Sequence, residues 1–418
     1  MTQFKSSIYL VLTTGIRAAG AVAVLKLCAF SLSVGEFGQL TQLIGAITLV
    51  SMLAASSVGP GLTRAMSAVN KEEQNEWIIS AASLCTCVCI CLGLMLGLFA
   101  LPISNWLWGD HVFVPVLIGL GVVQAAVGIS AIAQAVGVVR NKYLFVFKYS
   151  ALGAIIGVTA VGGGLWFGGM PGAAWGLVAN AAMPGFIAFL LRRQSAVILI
   201  KAVRVIYLKD KERVGVLLRY AAVPLAGALS IGLSQLVLRE WVAVRVGWEA
   251  VGYWQAISRI ADMYLQFVSV VLLGVALPRW GLAMSYRATV QPMLKLSGVL
   301  IATTSVIALT LYFLSDIVLT LLYSERFIAA EVLLPWQLFG DLFRVLAVCL
   351  STGLLARGET GWPTIFEAGQ GLLTLVGGIL LTPLVAGKAP VIAYAFTYAL
   401  LAAFLSLIWS LRCSEGNN

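Results

Sequence analysis

Long apolar runs separated by short polar breaks fill the chain from end to end. They fall at about 8–31, 38–59, 78–103, 112–139, 149–168, 172–191, 215–237, 250–278, 296–315, 331–356, 363–385 and 389–411. Each is close to the ~20 residues that an α-helix needs to cross hydrocarbon. The runs are continuous, whereas a membrane β-barrel shows ten-residue stretches of alternating polarity. Several contain Gly or Pro (Gly162, Gly163 and Gly164; Pro224; Pro335). Spanning helices tolerate these better than soluble helices do. The pattern therefore predicts an all-α integral membrane protein with about twelve transmembrane helices. The first run is not a secretory signal, because Arg17 interrupts it and no small-residue cleavage pattern follows.

Composition sharpens this. Of 418 residues, 61% are hydrophobic and 11% charged, against about 25% charged in an average soluble domain. The mean hydropathy is +0.98. These values exclude a soluble enzyme, a disordered protein and a nucleic-acid-binding domain, so no nucleic acid is expected as a partner. Twelve spans consume roughly 240 residues, and the remainder is too thinly spread to build a soluble domain. Function must lie between helices or on short loops.

The net charge of +10 would point to an anionic polymer in a soluble protein. Here it follows topology. With the N-terminus inside, 19 of the 27 basic residues fall on inner loops and tails. Arg239, Arg245, Arg326 and Lys388 fall on outer loops, and the remaining four lie within spans. This bias places both termini in the cytoplasm and requires an even number of spans.

The longest hydrophilic stretch, Arg192 to Arg219, lies mid-chain and is strongly basic. Its part 196–208 is amphipathic enough to lie on the inner membrane surface. Six spans precede it and six follow. The expected organisation is an N-terminal six-helix lobe (1–194), a basic cytoplasmic linker (195–214) and a C-terminal six-helix lobe (215–418). Two halves of equal topology fit the parallel-repeat transporters.

Seven ionisable residues fall inside spans: Arg17, Lys26, Arg259, Asp262, Asp341, Arg344 and Glu367. Each would cost roughly 2.5–3.5 kcal/mol facing lipid near mid-span. Together they would exceed a typical net stability of about 5–15 kcal/mol, so they must face protein or water. Gln255, Arg259, Asp262 and Gln266 form one helical stripe; Gln337, Asp341 and Arg344 form a second, and Glu367 and Gln370 a third. Three stripes in one half imply a polar cavity. The pairs Arg259–Asp262 and Asp341–Arg344 are open to a second reading, as structural pins between helices. Arg17 has no acidic residue in its own span, which favours contact with an anionic ligand. Arginine's forked donors match phosphate. On a straight helix Arg17 and Lys26 point to opposite faces, and Arg17 is the better cavity candidate.

Other signals are weaker. Cys85, Cys87, Cys89 and Cys91 step by two around a helix and are best taken as small apolar filler. Cys28, Cys349 and Cys413 imply no disulfide framework. His111 stands alone, so neither a catalytic nor a metal site is expected, nor any cofactor. Trp106, Trp108, Trp241 and Trp248 suit an outer aromatic belt. No phosphate-binding glycine loop with a lysine occurs, which argues against direct ATP hydrolysis.

The sequence resembles the Wzx flippases of the MOP superfamily, which also holds MATE multidrug exporters and lipid II flippases, and within them the lipid III branch serving the enterobacterial common antigen. The blocks that carry the resemblance are VGYWQAISRIADMYLQF (Val251–Phe267), LLYSERFIAAEVLLPWQLFGDLFRVLAV (Leu321–Val348), FEAGQ (Phe366–Gln370) and AYAFTYAL (Ala393–Leu400). Arg17 and Lys26 fall where that family also places cations. The resemblance implies two lobes working by alternating access. Its implied substrate is an undecaprenyl-diphosphate-linked oligosaccharide, a common-antigen or O-antigen repeat unit, moved to the periplasmic leaflet of a bacterial inner membrane. It further implies membrane lipids, a polysaccharide polymerase and a chain-length regulator as partners in polysaccharide or lipopolysaccharide assembly. Arg17, Lys26, Arg259, Arg344, Gln255, Gln266, Gln337 and Gln370 would bind substrate, and Asp262, Asp341 and Glu367 would serve ion pairing or proton coupling. The rivals are a MATE-like drug exporter, which usually carries an acid in the first span, and a membrane polymerase, which needs a large outer loop.

Overall fold

The computed structural model describes residues 2–56, 58–191, 211–281 and 285–415. Residues 192–210, which include the expected amphipathic stretch 196–208 and most of the basic linker, lie outside the described residues. The described chain is helical: α1 (Thr2–Ser31), α2 (Val34–Ser56), α3 (Gly59–Ser67), α4 (Lys71–Trp108), α5 (Val114–Val139), α6 (Tyr143–Leu191), α7 (Lys211–Arg245), α8 (Trp248–Val271), α9 (Leu277–Gly281), α10 (Tyr286–Phe313), α11 (Ser315–Leu322), α12 (Leu334–Ala356), α13 (Gly361–Val385) and α14 (Ala389–Glu415). A 3₁₀ segment, Glu325–Leu333, leads into α12, and a π-helical turn, Leu272–Ala276, follows α8.

Helix boundaries follow local chemistry. The Asn70 side chain accepts from the backbone N–H groups of Glu72 and Glu73 and starts α4, whose first-turn acids also suit the helix dipole. Gly109, at φ +69°, ends it. Ser285 caps α10 by accepting from the N–H of Ala288.

Among the described residues, eight helices are long and apolar enough to cross a membrane, or nine if the bent pair within α7 is one span. Two of the eight are double. α6 is an antiparallel hairpin that reverses at Gly169, whose φ of +53° favours glycine. Gly172 lies against Gly164, Gly176 against Val161, Asn180 against Gly157 and Pro184 against Gly153. A methyl group at Gly176 would fall 2.6 Å from the Val161 Cα, so small residues permit this approach. The other double run is α13 and α14, joined across Ala386–Lys388. The eighth expected span coincides with α8 but falls short of the apolarity of the rest, because Gln255, Arg259, Asp262 and Gln266 lie along it. The set is consistent with about twelve crossings and shows a multi-pass membrane protein.

The chain divides into two compact units. One holds 1–32 and 42–228, the other 33–41 and 229–418. In the first, α4, α5 and α6 pack closely: Gly121 lies on Gly93, Gly128 on Cys85 and Gly185 on Ala126. Cys85 and Cys89 share one buried face, with their sulfurs 3.9 Å apart. In the second, the short segment 33–41 supplies Phe37, which is fully buried edge-on against Tyr323 and Phe327. Val345, Leu350 and Leu354 of α12 form a core with Leu401, Leu405 and Trp409 of α14.

Candidate functional site

In the N-terminal unit the polar chemistry within the helices centres on Arg17. One of its terminal nitrogens donates to Gln134 Oε1 of α5 at 3.2 Å, and the other donates to Ser150 Oγ of α6 at 3.0 Å. Both acceptors are neutral, and among the described residues Arg17 makes no ion pair. Ser150 and its neighbour Tyr149 are buried, while Arg17 and Gln134 are exposed on their helices. The phenol of Tyr149 donates to the Ser130 carbonyl at 3.4 Å. The guanidinium is thus held in place with its charge uncompensated. Lys26 lies further along α1, also on an exposed face.

In the C-terminal unit the three predicted stripes meet. Asp341 is fully buried. It accepts from the Tyr264 phenol of α8, from the Tyr394 phenol of α14 at 2.6 Å and from Gln337 Nε2 at 3.0 Å. Three donors from three helices satisfy this one carboxylate. The pairing of Asp341 with Arg344 anticipated within α12 does not form. Arg344 instead reaches Asp262 of α8 at 3.5 Å and Tyr394 Oη at 3.4 Å, with its guanidinium 5.5 Å from the Tyr398 ring centre. Two tyrosines occupy Asp341, so the guanidinium is left to the exposed carboxylate of Asp262. Arg259 also pairs with Asp262, loosely, at 3.9 Å. Glu367 accepts from Gln370 Nε2 at 2.5 Å, and Gln370 Oε1 accepts from the Tyr398 phenol at 2.6 Å. Tyr398 thereby links the α13 stripe to the α12 stripe.

Gln255 is buried, and its Nε2, like the Nε groups of Arg259 and Arg239, makes no hydrogen bond among the described residues. Gln266 is exposed on α8. Arg239, expected on an outer loop, lies inside α7 and is 5% exposed. The helix runs to Arg245, beyond the end of the apolar run at 237. One Arg239 terminal nitrogen donates to the Thr41 carbonyl at 3.5 Å.

Tyr264, Tyr394 and Tyr398 were not among the expected site residues, because tyrosine counts as apolar in a hydrophobicity pattern. The signal that marks the last two is their i, i+4 spacing in AYAFTYAL, which puts both phenols on one face of α14.

Long apolar helices that carry charges within their spans define a multi-pass membrane protein with a polar interior. Residues 4–284 match the family model described as polysaccharide biosynthesis protein, and the chain belongs to that family. The relatives are named as transporters, not enzymes. It is 24% identical over 433 residues to the lipid III flippase of Escherichia coli (strain K12), covering 99% of this chain and 100% of that one. The lipid III flippase of Shigella flexneri matches equally. The fold is shared with an inward-facing MATE family multidrug resistance transporter of the MOP superfamily (TM-score 0.78, 15% identity, covering 98% of each chain). It is shared too with the lipid II flippase MurJ in an inward closed conformation (TM-score 0.75, 14% identity, 95% of this chain and 86% of that one).

Proposed function

We propose that the chain is a flippase that moves an undecaprenyl-diphosphate-linked oligosaccharide from the cytoplasmic to the periplasmic leaflet of a bacterial inner membrane, by alternating access. The observation that carries this is Arg17, a cation within a membrane span that among the described residues makes hydrogen bonds only to neutral groups. A diphosphate and several sugars cannot enter hydrocarbon unaided, because stripping water from charged and hydroxyl groups is costly. An uncompensated guanidinium replaces hydration at the phosphates through paired donors. Gln255, with its buried amide nitrogen that has no partner among the described residues, together with Gln266 suits sugar hydroxyls, while Gln337 and Gln370 would have to exchange their bonds to Asp341, Glu367 and Tyr398 to do so. Lys26, Arg259 and Arg344 add positive charge. The family match and the lipid III flippases similar over the full length support the same substrate class.

The loop charges support both termini in the cytoplasm, with the lobes spanning 1–194 and 215–418 on either side of a basic linker. A polysaccharide polymerase and a chain-length regulator are the proposed partners, since the translocated unit must next be polymerised. Asp262, Asp341 and Glu367 are the proposed carriers of proton coupling, each sharing hydrogen bonds or ion pairs that one proton would reset.

The similarity to a drug exporter raises a second reading, export of organic cations. It conflicts with α1, which carries two cations within its apolar part and no acid at all. The test is leaflet transfer in sealed vesicles that contain the purified chain and a labelled undecaprenyl-diphosphate oligosaccharide. Transfer well above that of protein-free vesicles is expected, and transfer at the protein-free rate overturns the proposal. Transfer unchanged by collapsing the proton gradient would remove the coupling step.

A further inference from the structure

An arginine within a spanning segment is ordinarily matched by a carboxylate, which lowers its cost and also consumes its charge. Arg17 is matched differently. Its two terminal nitrogens end on an amide oxygen and a hydroxyl oxygen, from residues on two other helices. Guanidinium has donors only, so it must meet the oxygen of the Gln134 amide. That orientation turns the Gln134 NH₂ away from the arginine and leaves it as a neutral donor beside the cation. Ser150 is buried and fixed by the α6 backbone, so it sets the direction of the second nitrogen.

We infer that Gln134 and Ser150 are positioning residues that hold Arg17 in a neutral cradle, which keeps its full charge for an anionic diphosphate and adds an amide donor to the same site. The inference rests on the proposed role of Arg17 and deepens it, because it states which property of the surroundings makes the site selective for anions. A carboxylate at position 134 would have nearly the same shape but the opposite effect. It would pair with Arg17, cancel the charge and present no donor. At about 3 Å the two charges attract each other even at an effective dielectric near 20.

The test uses the full chain in lipid nanodiscs and two probes, a polyprenyl diphosphate and the uncharged polyprenol. Gln134→Glu is expected to weaken diphosphate binding on the order of tenfold or more, with polyprenol binding unchanged. Ser150→Ala is expected to weaken the diphosphate about threefold, since one of two anchors is lost. Wild-type diphosphate affinity in Gln134→Glu, or equal loss of both probes, overturns the inference; a merely structural role gives the second result. Should Gln134→Glu not fold, Gln134→Met serves in its place. It removes the acceptor without adding charge, and unchanged diphosphate binding there also overturns the inference. Arg17→Ala separates the two levels. If it binds diphosphate normally, the substrate role of Arg17 itself fails; if it loses binding while Gln134→Glu does not, only the cradle fails.

Discussion

Arg17 and Asp341 pose the same physical problem, a charge inside an apolar helix, and the two units solve it in opposite ways. Asp341 is fully buried and meets three donors, two phenols and an amide, so its charge is spent on holding α8, α12 and α14 together. Arg17 is exposed on its helix and meets two neutral acceptors, so its position is fixed while its charge is not. A spent charge is a structural or switching element; an unspent one is a binding element. The C-terminal unit also shows an intermediate case. Asp262, whose side chain is 51% exposed, is shared between Arg344 and Arg259 at 3.5 and 3.9 Å, distances at which each pair contributes little by itself.

This contrast can be broken by substitution. The largest stability effect is expected at Asp341→Leu, which strands the half-buried phenols of Tyr264 and Tyr394 and the Gln337 amide. Each neutral donor left unsatisfied costs about 1–3 kcal/mol, and the three together should give a large fall in thermal unfolding temperature in detergent. A melting temperature equal to wild type would show that Asp341 is not the tie it is taken for. In the N-terminal unit, Gly164→Leu should cost about 1–3 kcal/mol, because the side chain would meet the Gly172 backbone across the α6 hairpin. Hydrogen exchange should show the loosening confined to α6. Next comes Glu359→Gln. It weakens the carboxylate that accepts from Tyr286 Oη at 2.6 Å and Arg412 Nε at 2.8 Å, and with Arg412 more than a third exposed the expected loss is about 1 kcal/mol. Arg344→Gln should be smaller still, about 0.5 kcal/mol, since its ion pair with the half-exposed Asp262 is long at 3.5 Å. A loss at Arg344 as large as that at Asp341 would place the anchor of the network on the wrong residue.

Much of this was legible in the sequence, and for a plain reason. Continuous apolar runs have no alternative to helices in hydrocarbon, so the helices could be located, although their ends lie up to ten residues from the ends of the apolar runs, as at Tyr286. The reversal in α6 lies among the glycines before Pro171. The polar stripes were equally visible, because charges within spans are few and helical spacing is fixed. Partners across helices were hidden. Gln134 and Ser150 are 117 and 133 residues from Arg17, and nothing local ties them to it. Spacing along α12 left a pair of Asp341 with Arg344 open, but the phenols on α8 and α14 compete for the carboxylate and win. Arg239 was misplaced because an apolar run ends where hydrophobicity ends, whereas α7 continues in its hydrogen bonds to Arg245.

The central claim is that Arg17 carries transport through its charge and contributes little to stability. The most direct measurement is leaflet transfer of an undecaprenyl-diphosphate oligosaccharide in vesicles, comparing wild type with Arg17→Ala alongside the melting temperature of each. The account predicts transfer near the protein-free rate for Arg17→Ala with a nearly unchanged melting temperature. Wild-type transfer in Arg17→Ala, or a loss of transfer that merely tracks a loss of stability, would contradict it.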